Sequence, residues 1–157
     1  MAKYYSTIFT LAIAFFISPL LLSTQTQPKK EESIYVKALT KYAQWINKFE
    51  PETDTLYFEE LRGITTLFPK EVDGLTIQIL TGRNQRKVYD DHNGELIQRK
   101  MTPAKVSGKE IEVGLIPYQG KLDPQRGLVL SLTKWHAVIF AYDPETERFQ
   151  YERFENR

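Results

Sequence analysis

Two periodicities divide the chain. After Ser33, apolar residues recur at spacings of four and three: Tyr35, Leu39, Tyr42, Ile46 and Phe49, widened by Ala38 and Trp45. Lys37, Lys41, Gln44 and Lys48 take the opposite side. This is the pattern of an amphipathic helix with one core-facing stripe. Ser33 is placed to cap it, Glu31 and Glu32 sit near the positive end of its dipole, and Glu50-Pro51 ends it. An aromatic stripe at this spacing reads as core rather than as a ligand site.

Beyond Pro51 the period changes to two, the signature of strands. Strands are expected over 55–61, 75–81, 95–101, 111–115, 128–132, 135–142 and 148–154, with 64–68 extended up to Pro69. The strongest apolar pair is 128–132 with 135–142. Turn chemistry punctuates them at Asp73-Gly74, Asn93-Gly94, Ser107-Gly108 and Asp143-Pro144. Pro117 is expected to end its strand or to mark a sheet edge, followed by a loop over 118–127. The polar stretch 82–94 reads as a short surface helix or a long loop. The order predicts an α+β fold: one amphipathic helix packed on an antiparallel, curved sheet of about six or seven strands. In 135–142, His136, Val138, Phe140 and Tyr142 share the face expected against the helix. Trp135, Ala137, Ile139 and Ala141 share the other, where the alanines leave room for a pocket.

The first 27 residues depart from both patterns. Lys3 is their only charge, a mostly apolar run over 8–22 is interrupted by Thr10, Ser18 and Pro19, and Ser23-Thr24-Gln25-Thr26-Gln27 is small and polar. These are the parts of an export signal. The 15 residues of this run would rise about 22 Å as a helix, short of the roughly 30 Å hydrocarbon core. Residues 1–27 are therefore read as a signal peptide, or as a membrane anchor if uncleaved. Residues 28–32 form a linker and 33–157 a single α+β domain. The expected location is the periplasm or cell surface.

Composition narrows the function. The 157 residues hold no cysteine, which excludes a disulfide framework, a thiolate metal site and a cysteine nucleophile. After Lys3 is set aside, 20 basic residues face 20 acidic ones, too balanced for a dedicated nucleic-acid binder. His92 follows Asp90-Asp91, yet adjacent residues on one chain rarely converge on one ion. Ser131 and Lys134 have the S-x-x-K spacing of penicillin-interacting enzymes, but at a strand end, without the helix that makes that spacing work. Arg83, Arg86 and Lys87 are followed by Asp90 and Asp91, which reads as a salt-bridged solvated surface. No catalytic residue, metal ligand or cofactor site is assigned. The binding candidates are Trp135 and Tyr118, aromatics able to stack on a sugar or partner, together with His136 and Glu112.

From Tyr57 onward the chain resembles a group of small exported bacterial proteins of unassigned function. The resemblance rests on Phe68-Pro69-Lys70-Glu71-Val72-Asp73-Gly74, on Ile116-Pro117, and on Phe140-Ala141-Tyr142-Asp143 followed by Arg148-Phe149. It implies a signal followed by an α+β domain and carries over no catalytic residue. The group often has a cysteine after the Tyr-Asp pair, where this chain has Pro144. The helix-then-sheet order is also similar to cystatin-like and nuclear-transport-factor-like cones, a likeness of fold that assigns no function. The expectation is a non-enzymatic module of the cell envelope that binds a protein, peptide or glycan through its sheet. The alternative is a small-molecule binder or cone-type enzyme on the concave face, with His136 and Glu112 as acid and base.

Overall fold

The computed structural model describes residues 32–157. The expected signal or anchor over 1–27 and most of the linker lie outside the described residues. No helix among the described residues is long and apolar enough to cross a membrane.

Helix α1 runs Ile34–Phe49, and the Ser33 hydroxyl accepts from the Tyr35 backbone N–H at its start. Its last turn closes with the Glu50 N–H donating to the Ile46 carbonyl, and Pro51 stops it there. The strands are β1 (Thr55–Glu59), β2 (Glu71–Val72), β3 (Leu75–Leu80), β4 (Glu95–Met101), β5 (Lys105–Ser107), β6 (Glu110–Asp123), β7 (Gly127–Leu132), β8 (His136–Asp143) and β9 (Arg148–Asn156). A second helix, α2, spans Gln85–Asp91. The fold is mixed α+β, with one sheet in the order β2-β3-β1-β4-β6-β8-β9; β5 and β7 also pair with β6.

Four expectations need correction. The sheet has nine strands rather than six or seven, because β2 and β5, at two and three residues, are too short to show a period. It is only mostly antiparallel: β1 runs parallel to both β3 and β4. Parallel neighbours need a crossover. The chain between β1 and β3 supplies one, and its residues 64–68 contain a 3-10 turn at Thr65–Leu67 instead of an extended segment. Helix α2 supplies the other, carrying the chain from β3 across β1 to β4. It is the short surface helix expected in 82–94, with Val88 and Tyr89 buried on its inner side.

The fourth correction concerns Pro117. It neither ends its strand nor precedes a loop: β6 is 14 residues long and runs through it. The reason is hydrogen-bond parity. Thr102 N–H donates to Gly114 O and Leu122 N–H to Gly94 O, so even-numbered residues of β6 bond toward β4. The missing N–H of Pro117 therefore points to the other edge, where pairing with β8 ends at Leu115 and pairing with β7 starts at Tyr118. A proline is tolerated where no ladder bond is lost. For the same reason β7 pairs with β6, in line with β8 and not beside it.

The two helices cover opposite faces. Neighbours along a strand point to opposite sides. Arg99 of β4 bonds Tyr42 of α1, whereas Gln98 bonds Tyr89 of α2. On the α1 face, Leu39, Tyr42 and Ile46 share one buried cluster with Leu56, Phe58, Met101, Leu115 and Phe140. On the α2 face, Leu80, Val88, Tyr89 and Leu96 form a smaller one.

The smaller cluster depends on Gly120. A Cβ there would overlap the Tyr89 hydroxyl and ring carbons. Gly120→Ala should lower unfolding stability by about 1–3 kcal/mol. Adding Tyr89→Leu to that variant should recover part of the loss, since the clash leaves with the ring. Urea unfolding of the two variants checks both statements.

Candidate functional site

The four binding candidates do not converge. His136 lies opposite Leu115 and faces α1, 1% exposed, among the rings of Tyr42, Trp45 and Phe154 at 4.6–5.5 Å. Its Nδ1 bonds Asn156 Oδ1 at 2.7 Å. Glu112 lies opposite Ile139, three positions from Leu115, and therefore projects from the other face. It bonds Arg157 at 3.0 Å. A His136–Glu112 acid–base pair does not exist in this fold, and the alternative enzyme reading loses its chemistry with it.

Trp135 shares the Glu112 face. The Arg157 guanidinium lies 5.1 Å from its ring centroid, so a cation already takes one side of the indole. Beneath it is Gly114, where a Cβ would sit 2.8 Å from both the indole nitrogen and Thr102 Oγ1. The room left by Ala137 and Ile139 is mostly filled by an ion-pair chain: Glu112 to Arg157, Arg157 to Glu155, Glu155 to Arg153, Arg153 to Glu110. About 150 Å³ remains open there. Arg153 holds the carboxyls of Glu110 and Glu155 below their ordinary range, so both are ionised acceptors and poor proton donors at neutral pH. This arrangement is a clasp from β6 across β8 to β9 and Arg157. Tyr118 is half-buried on the same side of the sheet, opposite Gln98 and Leu132.

The other sequence features resolve simply. Arg86 and Lys87 pair with Asp90 and Asp91 one helical turn on, at 4.0 and 3.8 Å. His92 bonds the Tyr57 hydroxyl at 2.8 Å. Ser131 sits in β7, and Lys134 beyond its end, so no helical turn brings them together.

What the sequence did not mark is the edge formed by β7. The Thr133 N–H donates to Pro117 O, which fixes odd-numbered residues as the ones bonding to β6. Leu128, Leu130 and Leu132 therefore turn their backbone N–H and C=O groups outward. Leu132 is 64% exposed and Leu130 40%. Sheet edges are ordinarily blunted by charge, proline or shortness. Strand β9 carries Arg148, Glu152, Arg153 and Glu155, and β2 and β5 are very short. Strand β7 is six residues long and bears no charge.

Beside this edge, on the α2 face, lies an open recess of about 350 Å³, lined by Glu59, Glu60, Gln85, Gln98, Leu128 and Leu130 among others. Gln98 forms its floor. The Gln98 Oε1 accepts from Gln85 Nε2 at 2.9 Å and from the Tyr89 hydroxyl at 3.1 Å. Burial pushes the Tyr89 hydroxyl up to about 12, so it stays protonated and remains a donor.

No family model, curated protein or solved structure matches the chain. Among the described residues, no three histidine, aspartate or glutamate side chains are grouped to hold a metal ion. Among the described residues, the β7 edge combines outward-facing backbone groups with exposed leucines and carries no charge.

Two further residues escaped the sequence reading. Arg99 is 2% exposed, donates from Nε to the Tyr42 hydroxyl and from Nη1 to Ile97 O, and lies 3.8 Å from Glu50. Gln98, its neighbour, does the corresponding work on the other face. Neither carried a local signal, because both read only as polar positions within a strand.

His136 makes the α1 face sensitive to acid. Burial disfavours its charged form and sets its pKa below the ordinary 6.5. A depressed folded-state pKa means that the unfolded chain takes up the proton first. The resulting stability is present above about pH 6.5 and is lost as pH falls through the folded-state value. Urea midpoints measured at about pH 7.5 and about pH 5.5 should drop more in the native protein than in His136→Phe.

Proposed function

We propose that this protein is a non-enzymatic binding module of the cell envelope that captures an extended polypeptide segment by adding it as a strand to β7. The observation that carries this reading is the uncharged, exposed six-residue edge with outward-facing backbone groups at Leu128, Leu130 and Leu132. Strand addition uses main-chain bonds for affinity and alternate side-chain positions for selectivity. Export is supported by the charge and apolar pattern of residues 1–27. With α1 sealing one face of the sheet and the ion-pair clasp filling part of the other, the edge is the surface left for a partner. The likeness to small exported bacterial α+β proteins agrees with a module of this kind.

A polypeptide fits the edge better than a glycan, because the unused groups alternate donor and acceptor at strand spacing. A second copy fits it less well. Antiparallel self-pairing about Leu130 would place Arg126 opposite the other copy's Lys134, like charges across a ladder.

The test is a library of ten-residue segments screened against the full-length chain. Binders should protect the amides of Leu128, Leu130 and Leu132 from hydrogen exchange. Leu130→Pro removes an outward donor without touching a β6 bond, and should cut binding about tenfold or more while the protein stays folded. Binders that protect other amides and ignore Leu130→Pro would overturn the reading. So would a concentration-dependent dimer, seen by sedimentation, that protects these amides with no segment present.

A further inference from the structure

Resting on the strand-addition reading, we propose that the segment taken up by β7 is an amphipathic strand with acidic ends. It carries apolar side chains at alternate positions, polar ones between them, and an acidic residue beyond each end of that stretch.

The alternation follows from the two unlike faces of β7. A residue of an added strand directly opposite Leu130 or Leu132 stands on the same face, about 5 Å further out. Behind Leu132 in its row is Tyr118, and behind Leu130 is Gly120 with the Tyr89 ring over it. Leu130 and Leu132 are both exposed, so an apolar side chain laid beside either removes water from both partners at once. The other face of β7 is carried by Val129 and Ser131, which stand opposite Lys121 and Gln119, both exposed. Lys121 is held at 2.7 Å by Glu95 there, on the next strand inward. A side chain added on that face joins a solvated polar row, and an apolar one gains little. Apolar positions two apart, with polar ones between, match both faces.

The acidic ends follow from charge. Arg126 precedes β7 and Lys134 follows it, both exposed. Asp123 accepts from the Arg126 backbone N–H, and no carboxylate among the described residues pairs with the Arg126 guanidinium or the Lys134 ammonium. Cations elsewhere on the sheet are engaged: Lys100 with Glu59, Lys121 with Glu95, Arg153 with Glu110, Arg157 with Glu112. The uncharged edge is thus bracketed by two cations with no acid of their own. Acidic residues at the two ends of an added strand complement both, and basic ones are repelled. Arg126 and Lys134 lie about 26 Å apart along a strand, a span that ten extended residues reach.

The test uses capped ten-residue segments titrated against the full-length chain. One set carries a central Leu-Thr-Leu-Thr-Leu, the other the same residues as Leu-Leu-Leu-Thr-Thr, and each is made with glutamate, glutamine or lysine at both ends. The alternating set should bind about tenfold tighter than the clustered set. Within it, glutamate ends should bind about threefold tighter than glutamine ends, and lysine ends more weakly still. That ranking should shrink at about 0.5 M salt and vanish in Arg126→Gln/Lys134→Gln. Equal protection of the Leu128, Leu130 and Leu132 amides by alternating and clustered segments would overturn this proposal and leave strand addition standing. Indifference to the ends, or a ranking that survives in the double variant, would do the same. Segments that never protect those amides would overturn strand addition and this proposal with it.

Discussion

Strand β6 is shared among four partners, and most of the architecture follows from how its two edges are divided. On one edge β5 and β4 follow each other; on the other, β8 gives way to β7. The change on the second edge has to occur where β6 needs no donor, and Pro117 stands at that place. Because β8 continues into a hairpin with β9, its outer side is covered. Strand β9 ends at Asn156, opposite His136, and only the Trp135–Arg157 backbone pair extends that ladder. Among the described residues no strand pairs with the outer edge of β7. The exposed leucines are a consequence of topology, not of local chain preference.

The centre of the sheet is polar in a way that binds the two faces to each other. Arg99 and Gln98 are consecutive, both nearly inaccessible, and point in opposite directions. A buried guanidinium is tolerable only with its donors answered, and Tyr42, Ile97 O and Glu50 answer them on the α1 face. Tyr42 ties this group to the ring cluster of Trp45, His136 and Phe154. On the α2 face the corresponding group is less complete, since Gln98 keeps one terminal atom unmatched. The buried Arg99 ties α1 to the sheet through Tyr42 and Glu50, whereas Gln98 ties α2 to it through Tyr89 and Gln85.

Much of this fold was legible in the sequence, and the failures have physical causes. Helix α1 emerged with its cap and stop because sixteen residues of steady period leave little choice. The other full strands were found for the same reason, apart from the second half of β6, which was expected to be a loop. Which strand lies beside which is not written in a period of two, so the parallel placement of β1 and the role of α2 as a crossover were missed. Pro117 misled because its cost depends on which edge its nitrogen faces, a matter of register. Residues 128–132 read as half of the strongest apolar strand pair, and consecutive apolar residues do not by themselves tell an open edge from a covered strand. Trp135 and His136 were marked by residue type, and both turned out to have partners inside the protein. Gln98 was passed over, since a lone glutamine in a strand reveals nothing until its neighbours are placed.

An uncharged open edge is a liability that a protein carries only under some constraint. It invites pairing with any unfolded chain, and one lysine in place of Leu130 or Leu132 would remove the hazard. The rest of the molecule shows that such guarding is within reach of this sequence, since β9 carries four charges along its exposed length. The contrast between β9 and β7 is therefore informative. Stability alone gives no reason to leave Leu132 largely in water, because burying or replacing it would be favourable. A strand that receives a partner does give a reason: its backbone groups must stay unpaired and its side chains apolar until the partner arrives.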